Sequence, residues 1–347
     1  MTDKESNDSP WTDPRGEHEM FWVSLQPHLL SRGYRLRPRY DPEWIPSWTR
    51  PGAEPDFCCE DALQGGAKVL DGTRISDNMK VVFKPVAASS DELALSILLS
   101  SPKMRSDSRN CAAPILDLVD IPGNDERVLM VMPMLKDIYD IPFRRVGEVV
   151  EMVEQFLYCL QFLHENNIVH MDFCRYNLMM DGSRIIPKGW HFFNRYTHDG
   201  TLSSPRFEWN ERWTVRPVQY YLIDFELSRQ LQDTSTQVVG DWGQDRTVPE
   251  MSFDVPCDPF KVDVYQIGNA IKKLTIEYTG LRILDSLTEN MTASDPLKRF
   301  TAHEAVQHFQ KRKAKWSKQA MESRIWKVGT PFKKRFMIQY RGYTPRF

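Results

Sequence analysis

The sequence predicts an α+β protein, a small β-rich lobe followed by a larger and mainly helical one. Three observations predict it. Residues 58–135 read as short strands rich in Val, Leu and Met, separated by turn residues and broken by a single helical stretch. From residue 146 the apolar residues recur at helical spacing instead. At 347 residues, 41% hydrophobic and 27% charged, the chain is long enough for two lobes of ordinary composition.

Taken in order, residues 1–18 are polar and acidic, which predicts disorder and is the opposite of a signal peptide. Residues 19–57 form an aromatic and Pro-rich extension expected to dock on the body: a short helix over 21–30, then an extended arm over 34–40. The β-rich lobe spans 58–135. Strands are expected at 68–75 and 78–86, with turn chemistry at Asp71-Gly72 and Ser76-Asp77-Asn78. A compact helix at 91–99 has Ser90 or Asp91 as N-cap, and further strands lie at 114–120 and 127–132. The helical lobe spans 136–315. Val149, Val153, Phe156, Leu160 and Leu163 fall on one face of a helix over 146–165, and further helices are expected at 260–278 and 302–315. Residues 182–219 read as an insertion. Trp190, Phe192, Phe193, Tyr196, Phe207, Trp209 and Trp213 make it too aromatic for a free loop, so it should pack on the helical lobe. Residues 316–347 form a basic tail, and no internal repeat is seen.

The bulk numbers exclude several classes. A net charge of −2 gives no overall pull toward nucleic acid or an anionic membrane. No apolar run approaches membrane-spanning length. The six Cys show neither C-x-x-C nor zinc spacing, which predicts a reduced, intracellular protein of the cytoplasm or nucleus.

One stretch carries chemistry: Ile168-Val169-His170-Met171-Asp172-Phe173-Cys174-Arg175-Tyr176-Asn177-Leu178-Met179-Met180. It sets an acid two residues after a His and an Asn five residues after the acid. Phosphoryl transfer needs a carboxylate near the attacking hydroxyl and an oxygen ligand for magnesium close by, both on a short rigid loop. Here the sequence resembles the eukaryotic protein-kinase family, whose catalytic loop reads H-R-D-L-x-x-x-N, and looks most like the divergent protein-kinase-like proteins of fungi.

Further motifs follow in the family's order. Val81-Val82-Phe83-Lys84 resembles V-A-I-K, and Leu222-Ile223-Asp224-Phe225-Glu226 resembles D-F-G with Glu226 in place of the Gly. Val248-Pro249-Glu250, Asp263-Val264-Tyr265-Gln266-Ile267-Gly268 and Asp295-Pro296-Leu297-Lys298-Arg299 resemble A-P-E, D-x-W-x-x-G and D-P-x-x-R. The resemblance implies a two-lobed protein-kinase-like fold and an ATP- and Mg²⁺-dependent kinase acting on Ser/Thr hydroxyls of a protein substrate. In it Asp172 would be the catalytic base, Lys84 would clamp the phosphates, and Asn177 and Asp224 would hold the metal. Val69 would cover adenine; with Met132 as gatekeeper, the Pro133 carbonyl and the Leu135 N–H would bind its edge. Glu92 is the acid offered as partner for Lys84, although an alignment shifted by two residues puts Ala94 there. Glu250 would pair with Arg299, and Asp263 would brace the catalytic loop.

The chain departs from the family at Gln64-Gly65-Gly66-Ala67-Lys68-Val69, which lacks G-x-G-x-x-G, at Met171 in place of Arg, and at Glu226. Met171 argues against switching by an activation-loop phosphate, while the missing glycines, the two alignments at Glu92, and Glu226 frame one alternative, a catalytically impaired kinase-fold scaffold. Ile223-Asp224-Phe225-Glu226 frames another, a small-molecule kinase of the choline or aminoglycoside type. Glu322 is the one acid after residue 310, among many Lys and Arg; that stretch would suit an acidic partner such as nucleic acid or an acidic membrane face, or would stay solvated or fold back on an acidic lobe.

Overall fold

Helix α1 (Glu17–Ser31) opens the folded body, and strand β1 (Tyr34–Leu36) follows it at once. The computed structural model describes residues 15–52, 58–66, 68–240 and 243–341. Residues 1–14 of the expected disordered start, 53–57 of the extension, Ala67 of the glycine stretch and 342–347 of the tail lie outside them.

The first half is one antiparallel sheet. After β1 come β2 (Leu70–Arg74), β3 (Lys80–Ala87), helices α2 (Asp91–Ser100) and α3 (Pro102–Arg105), then β4 (Asp117–Ile121) and β5 (Asn124–Pro133). The strand order is β1-β2-β3-β5-β4. The segment set apart in the sequence as an extension thus supplies the edge strand and a covering helix. Trp22, Leu25 and Leu29 of α1 are buried against Leu70, Phe83 and Val131 of the sheet. On the other face Leu93 of α2 meets Val86 and Met130. Ser90 caps α2 by accepting the Leu93 N–H.

One local expectation is corrected. Asp71-Gly72 is no turn: both lie inside β2, where a Cβ on Gly72 would stand 2.7 Å from the Phe83 ring and 3.0 Å from the Arg35 carbonyl. Close packing, and not turn geometry, requires this glycine. The turn falls at Asn78, whose φ is 59°.

The second half is mainly helical. Short β6 (Lys136–Asp137) leads to α4 (Val146–Glu165), which coincides with the expected helix. Then come β7 (Ile168–Val169), β8 (Leu178–Met180), α5 (Arg212–Val215), β9 (Tyr220–Leu222) and β10 (Arg229–Gln230). A two-stranded ribbon of β11 (Val238–Gly240) and β12 (Ser252–Cys257) precedes α6 (Pro259–Glu277) and β13 (Tyr278–Thr279). Helices α7 (Asp285–Met291), α8 (Ala302–Lys313) and α9 (Lys318–Glu322), strand β14 (Trp326–Lys327) and helix α10 (Phe332–Arg341) complete it. The core runs along α4 and α6, with Val149, Val153, Phe156 and Leu160 all fully buried.

The cysteine reading is corrected too. Cys111 and Cys159, counted among six reduced thiols, form a disulfide with Cα atoms 5.5 Å apart. They stand 48 residues apart, one in the loop after α3 and one on α4, so no spacing motif announces the pair.

Residues 182–219 pack on both halves. Phe207 and Trp209 join the helical core, and buried Arg212 donates to the Ile138 and Ile141 carbonyls at 2.6 and 3.0 Å. Toward the sheet, His191 meets Glu60 at 3.1 Å and the Arg37 guanidinium lies 4.8 Å from the Phe193 ring. The basic C-terminal stretch folds back in part: Lys313, at the end of α8, pairs with Glu154 at 2.6 Å, and Arg324 of the tail pairs with Glu211 at 2.5 Å. Among the described residues no helix is long and apolar enough to cross a membrane.

Arg299, with a fully buried side chain, makes a two-point bond to Glu250 and donates to the Ala293 and Lys261 carbonyls at 3.0 and 2.7 Å. Removing it strands a largely buried carboxylate and two carbonyls. Arg299→Ala should therefore cost about 3–5 kcal/mol in urea unfolding, and an unchanged midpoint would show the pair to be incidental.

Candidate active site

The loop between β7 and β8 is held from beneath by one residue. Asp263, fully buried on α6, accepts the His170 N–H and the Met171 N–H at 2.7 Å each, and lies 3.2 Å from His164 Nε2. Gln266, one turn further along α6, accepts the Phe173 N–H at 2.9 Å and donates to the Met171 carbonyl at 3.0 Å. Met171 needs this support because its φ is 64°. A side chain in that region costs about 1–3 kcal/mol, which fixed partners must offset.

His170 couples the loop to the next strand. Its Nδ1 accepts the Asp172 N–H at 3.3 Å while Nε2 donates to the Ile223 carbonyl at 3.1 Å, and its ring lies 5.0 Å from Phe225. Burial holds His170 below its ordinary range, against the pull of Asp263 and Asp172. The neutral ring is the form that serves both bonds.

Asn177 donates to the Asp172 carbonyl at 2.8 Å and to Asp172 Oδ2 at 3.0 Å, which leaves its own side-chain oxygen as the atom able to bind a cation. Strands β8 and β9 pair in antiparallel register, and Ile223 N–H donates to the Asn177 carbonyl at 3.1 Å. Asp224 is thereby delivered beside the loop, with a φ of 67°.

Across from it, Lys84 of β3 meets Glu92 of α2 at 2.5 Å and Asp224 at 2.8 Å. This decides the two alignments of α2 in favour of Glu92 over Ala94. Burial penalises the Lys84 charge, but Asp224 and Glu92 outweigh it and hold the amine above the usual lysine range. Burial pushes Glu92 up, and Asp224 and Glu226 push the same way against the pull of Lys84. One lysine therefore faces three carboxylates, and negative charge is in excess.

These charges close one end of a cleft of about 400 Å³ between the two halves. Val69, Met132, Pro133 and Leu135 all line it, as expected, and Lys84, Glu92 and Asp224 form its polar end. Val82, Met179 and Ile223 add apolar walls. Phe192, from residues 182–219, also reaches in. Sequence reasoning missed it, the only signal being an aromatic cluster whose target no spacing could reveal. Asp172 and Asn177 sit outside this lining, on the loop alongside it.

The residues fit a hard divalent cation. Asp224, with a side chain 36% exposed, and Asn177 offer oxygen donors beside surplus negative charge. Among the described residues no cluster of three His, Cys, Asp or Glu forms an all-protein cage. Magnesium seldom uses one, taking one or two carboxylates plus substrate phosphates.

Searches against known proteins found no matching family model and no matching curated protein.

The buried neutral His170 gives a pH prediction with a definite sign. Below its ordinary value of 6.5 the unfolded chain binds a proton that the folded chain resists, so stability should fall as pH drops through that value. Urea unfolding between about pH 7.5 and 5.5 should show this slope, and His170→Gln should flatten it. An equal slope in both proteins would remove His170 as the titrating group.

Proposed function

We propose that the chain is an ATP- and Mg²⁺-dependent phosphotransferase of two-lobed, protein-kinase-like fold, acting on Ser/Thr hydroxyls of a protein substrate. The observation that carries the reading is the meeting of Lys84, Glu92 and Asp224 at the polar end of an apolar cleft, beside a loop bearing Asp172 and Asn177.

In this reading the sheet half supplies the walls for a flat base, Val69 and Val82 on one side and Met179 on the other. The Pro133 carbonyl and the Leu135 N–H face its edge. Lys84, oriented by Glu92, binds the phosphates, and Asn177 and Asp224 hold the metal. Mg-ATP held there would supply the phosphoryl group, and its Mg²⁺ would offset the negative charge of Asp224 and of the phosphates. Asp172 accepts the hydrogen of the attacking hydroxyl and orients its oxygen. Glu226, exposed at the cleft, adds negative charge where the resembled family has Gly.

The intact Lys84–Glu92 pair supports a catalytic reading over a scaffold. The Glu250–Arg299 pair and the Asp263 brace, which the resemblance attaches to protein-acting kinases, favour a protein acceptor over a small alcohol or amine. A cytoplasmic or nuclear setting belongs to the same reading, as does an acidic partner for the basic residues of the tail that the fold leaves exposed.

Mg-ATP should stabilise the protein by about 2.7 kcal/mol at a hundredfold excess over Kd, seen as a rise of a few degrees in Tm. Asp172→Ala should keep that rise while phosphate transfer to casein falls about 10²- to 10⁴-fold. No rise at saturating nucleotide would favour the scaffold. Transfer to choline or an aminoglycoside, with none to casein, would favour the small-molecule kinase.

A further inference from the structure

An ionised carboxylate has about four acceptor positions, and a base must keep one free for the group it deprotonates. On Asp172 three are taken, both on Oδ2 among them. Its Oδ2 accepts from Asn177 Nδ2 at 3.0 Å and from the Gln244 side-chain amide at 3.3 Å. Its Oδ1 accepts the Gln244 backbone N–H at 2.7 Å. Asp172 is only 6% exposed.

The segment that covers it is built to come close. Gly243, at a φ of 79°, lies so near that a Cβ there would stand 2.8 Å from the Met171 carbonyl and 2.9 Å from Asp172 Oδ1. Just beyond, buried Asp245 accepts from Asn269 Nδ2 of α6 at 2.6 Å and from the Thr247 hydroxyl at 2.7 Å. Gln244 is thus held between two fixed points. Gln244 also borders a cavity of about 230 Å³ walled by Cys174, Arg175, Tyr176 and Lys273, which shares no lining residue with the nucleotide cleft.

Resting on the phosphotransferase reading above, we propose that Gln244 is a built-in stand-in for the acceptor: its side-chain amide occupies the place of the substrate hydroxyl on Asp172, and an acceptor entering from the 230 Å³ cavity must displace it. The Gln244 side-chain bond is the longest of the three, and a rotamer change releases it while Asn177 Nδ2 stays tied to the Asp172 carbonyl at 2.8 Å. Its departure frees one position on Oδ2. A hydroxyl then donates there, its oxygen bonds to the γ-phosphorus as the bond to ADP breaks, and the proton passes to Asp172. Gln244 therefore sets a threshold for acceptors, and water, a weak competitor for the site, is kept out.

The test uses Gln244→Ala and Gln244→Glu, the second setting a carboxylate against Asp172 to expel the side chain. Gln244→Asn, which keeps the amide with a shorter reach, replaces the alanine variant should that one melt early. Mg-ATP hydrolysis, with water as acceptor, should rise about two- to tenfold in the variants, the worth of one side-chain hydrogen bond. The Mg-ATP shift in Tm should not change. Amide exchange in residues 243–247 should quicken in Gln244→Glu, a readout independent of turnover. Hydrolysis that is unchanged, lower or absent in all the proteins, with the Tm shift retained, would overturn the proposal. No shift in the wild-type protein would instead sink the reading of the cleft, and the proposal with it.

Discussion

The site rests on one carboxylate. Asp263 lies at the centre of the helical half without solvent contact and satisfies two consecutive backbone N–H groups, those of His170 and Met171. Two such donors at successive residues can converge on a single side chain only where the backbone turns sharply, which is where Met171 takes its positive φ. That turn lifts Asp172 out of β7 and into position beside Asn177. Through the His170 ring the same geometry passes to the Ile223 carbonyl and so to Asp224. Residues distant in sequence are thus registered against a single buried side chain on α6.

The opposite wall is set by electrostatics across the boundary between the halves. Lys84 belongs to the sheet and Asp224 to the helical half, and their contact at 2.8 Å spans the cleft. Other ties hold the halves in this relation. Leu222 donates to the Cys111 carbonyl at 2.8 Å and Ala113 donates to the Leu222 carbonyl at 2.9 Å, so the loop after α3 runs along β9. The Cys111–Cys159 disulfide fastens that loop to α4. From the other side, His191 and Phe193 reach Glu60 and Arg37 of the sheet half. Ala113, two residues beyond the disulfide, and Phe192 of residues 182–219 both line the cleft, so each tie reaches its wall.

Much of this was legible in the sequence because it is periodic or local. Helix α4 was readable since Val149, Val153, Phe156 and Leu160 fall on one face, and that face is buried. Lys84, Asp172, Asn177 and Asp224 were readable because short motifs place them in or next to short strands in a fixed order, and the structure brings Lys84 to Asp224 and Asn177 to Asp172. Strand β1 was not, since its three residues gain meaning only by pairing with β2 across residues 37–69. Arg37 and Arg39 lie in the arm expected to dock over 34–40, but their partners were not readable: both are buried, on Asp71 and Glu19, whose distance in sequence conceals the pairing. The Cys111–Cys159 pair, Phe192 in the cleft and Gln244 on Asp172 belong to the same kind. Each is a contact made by tertiary structure alone, with no periodicity and no motif to mark it.

The claim that Asp263 sets the site is tested most directly by amide hydrogen exchange in Asp263→Asn, which preserves shape and removes charge. If the carboxylate holds the loop and, through His170, the strand beyond it, exchange should quicken both in residues 168–177 and in residues 220–226, although Asp263 touches only the first of these segments. Exchange that stays slow in both segments, or quickens only at His170 and Met171, would contradict the account.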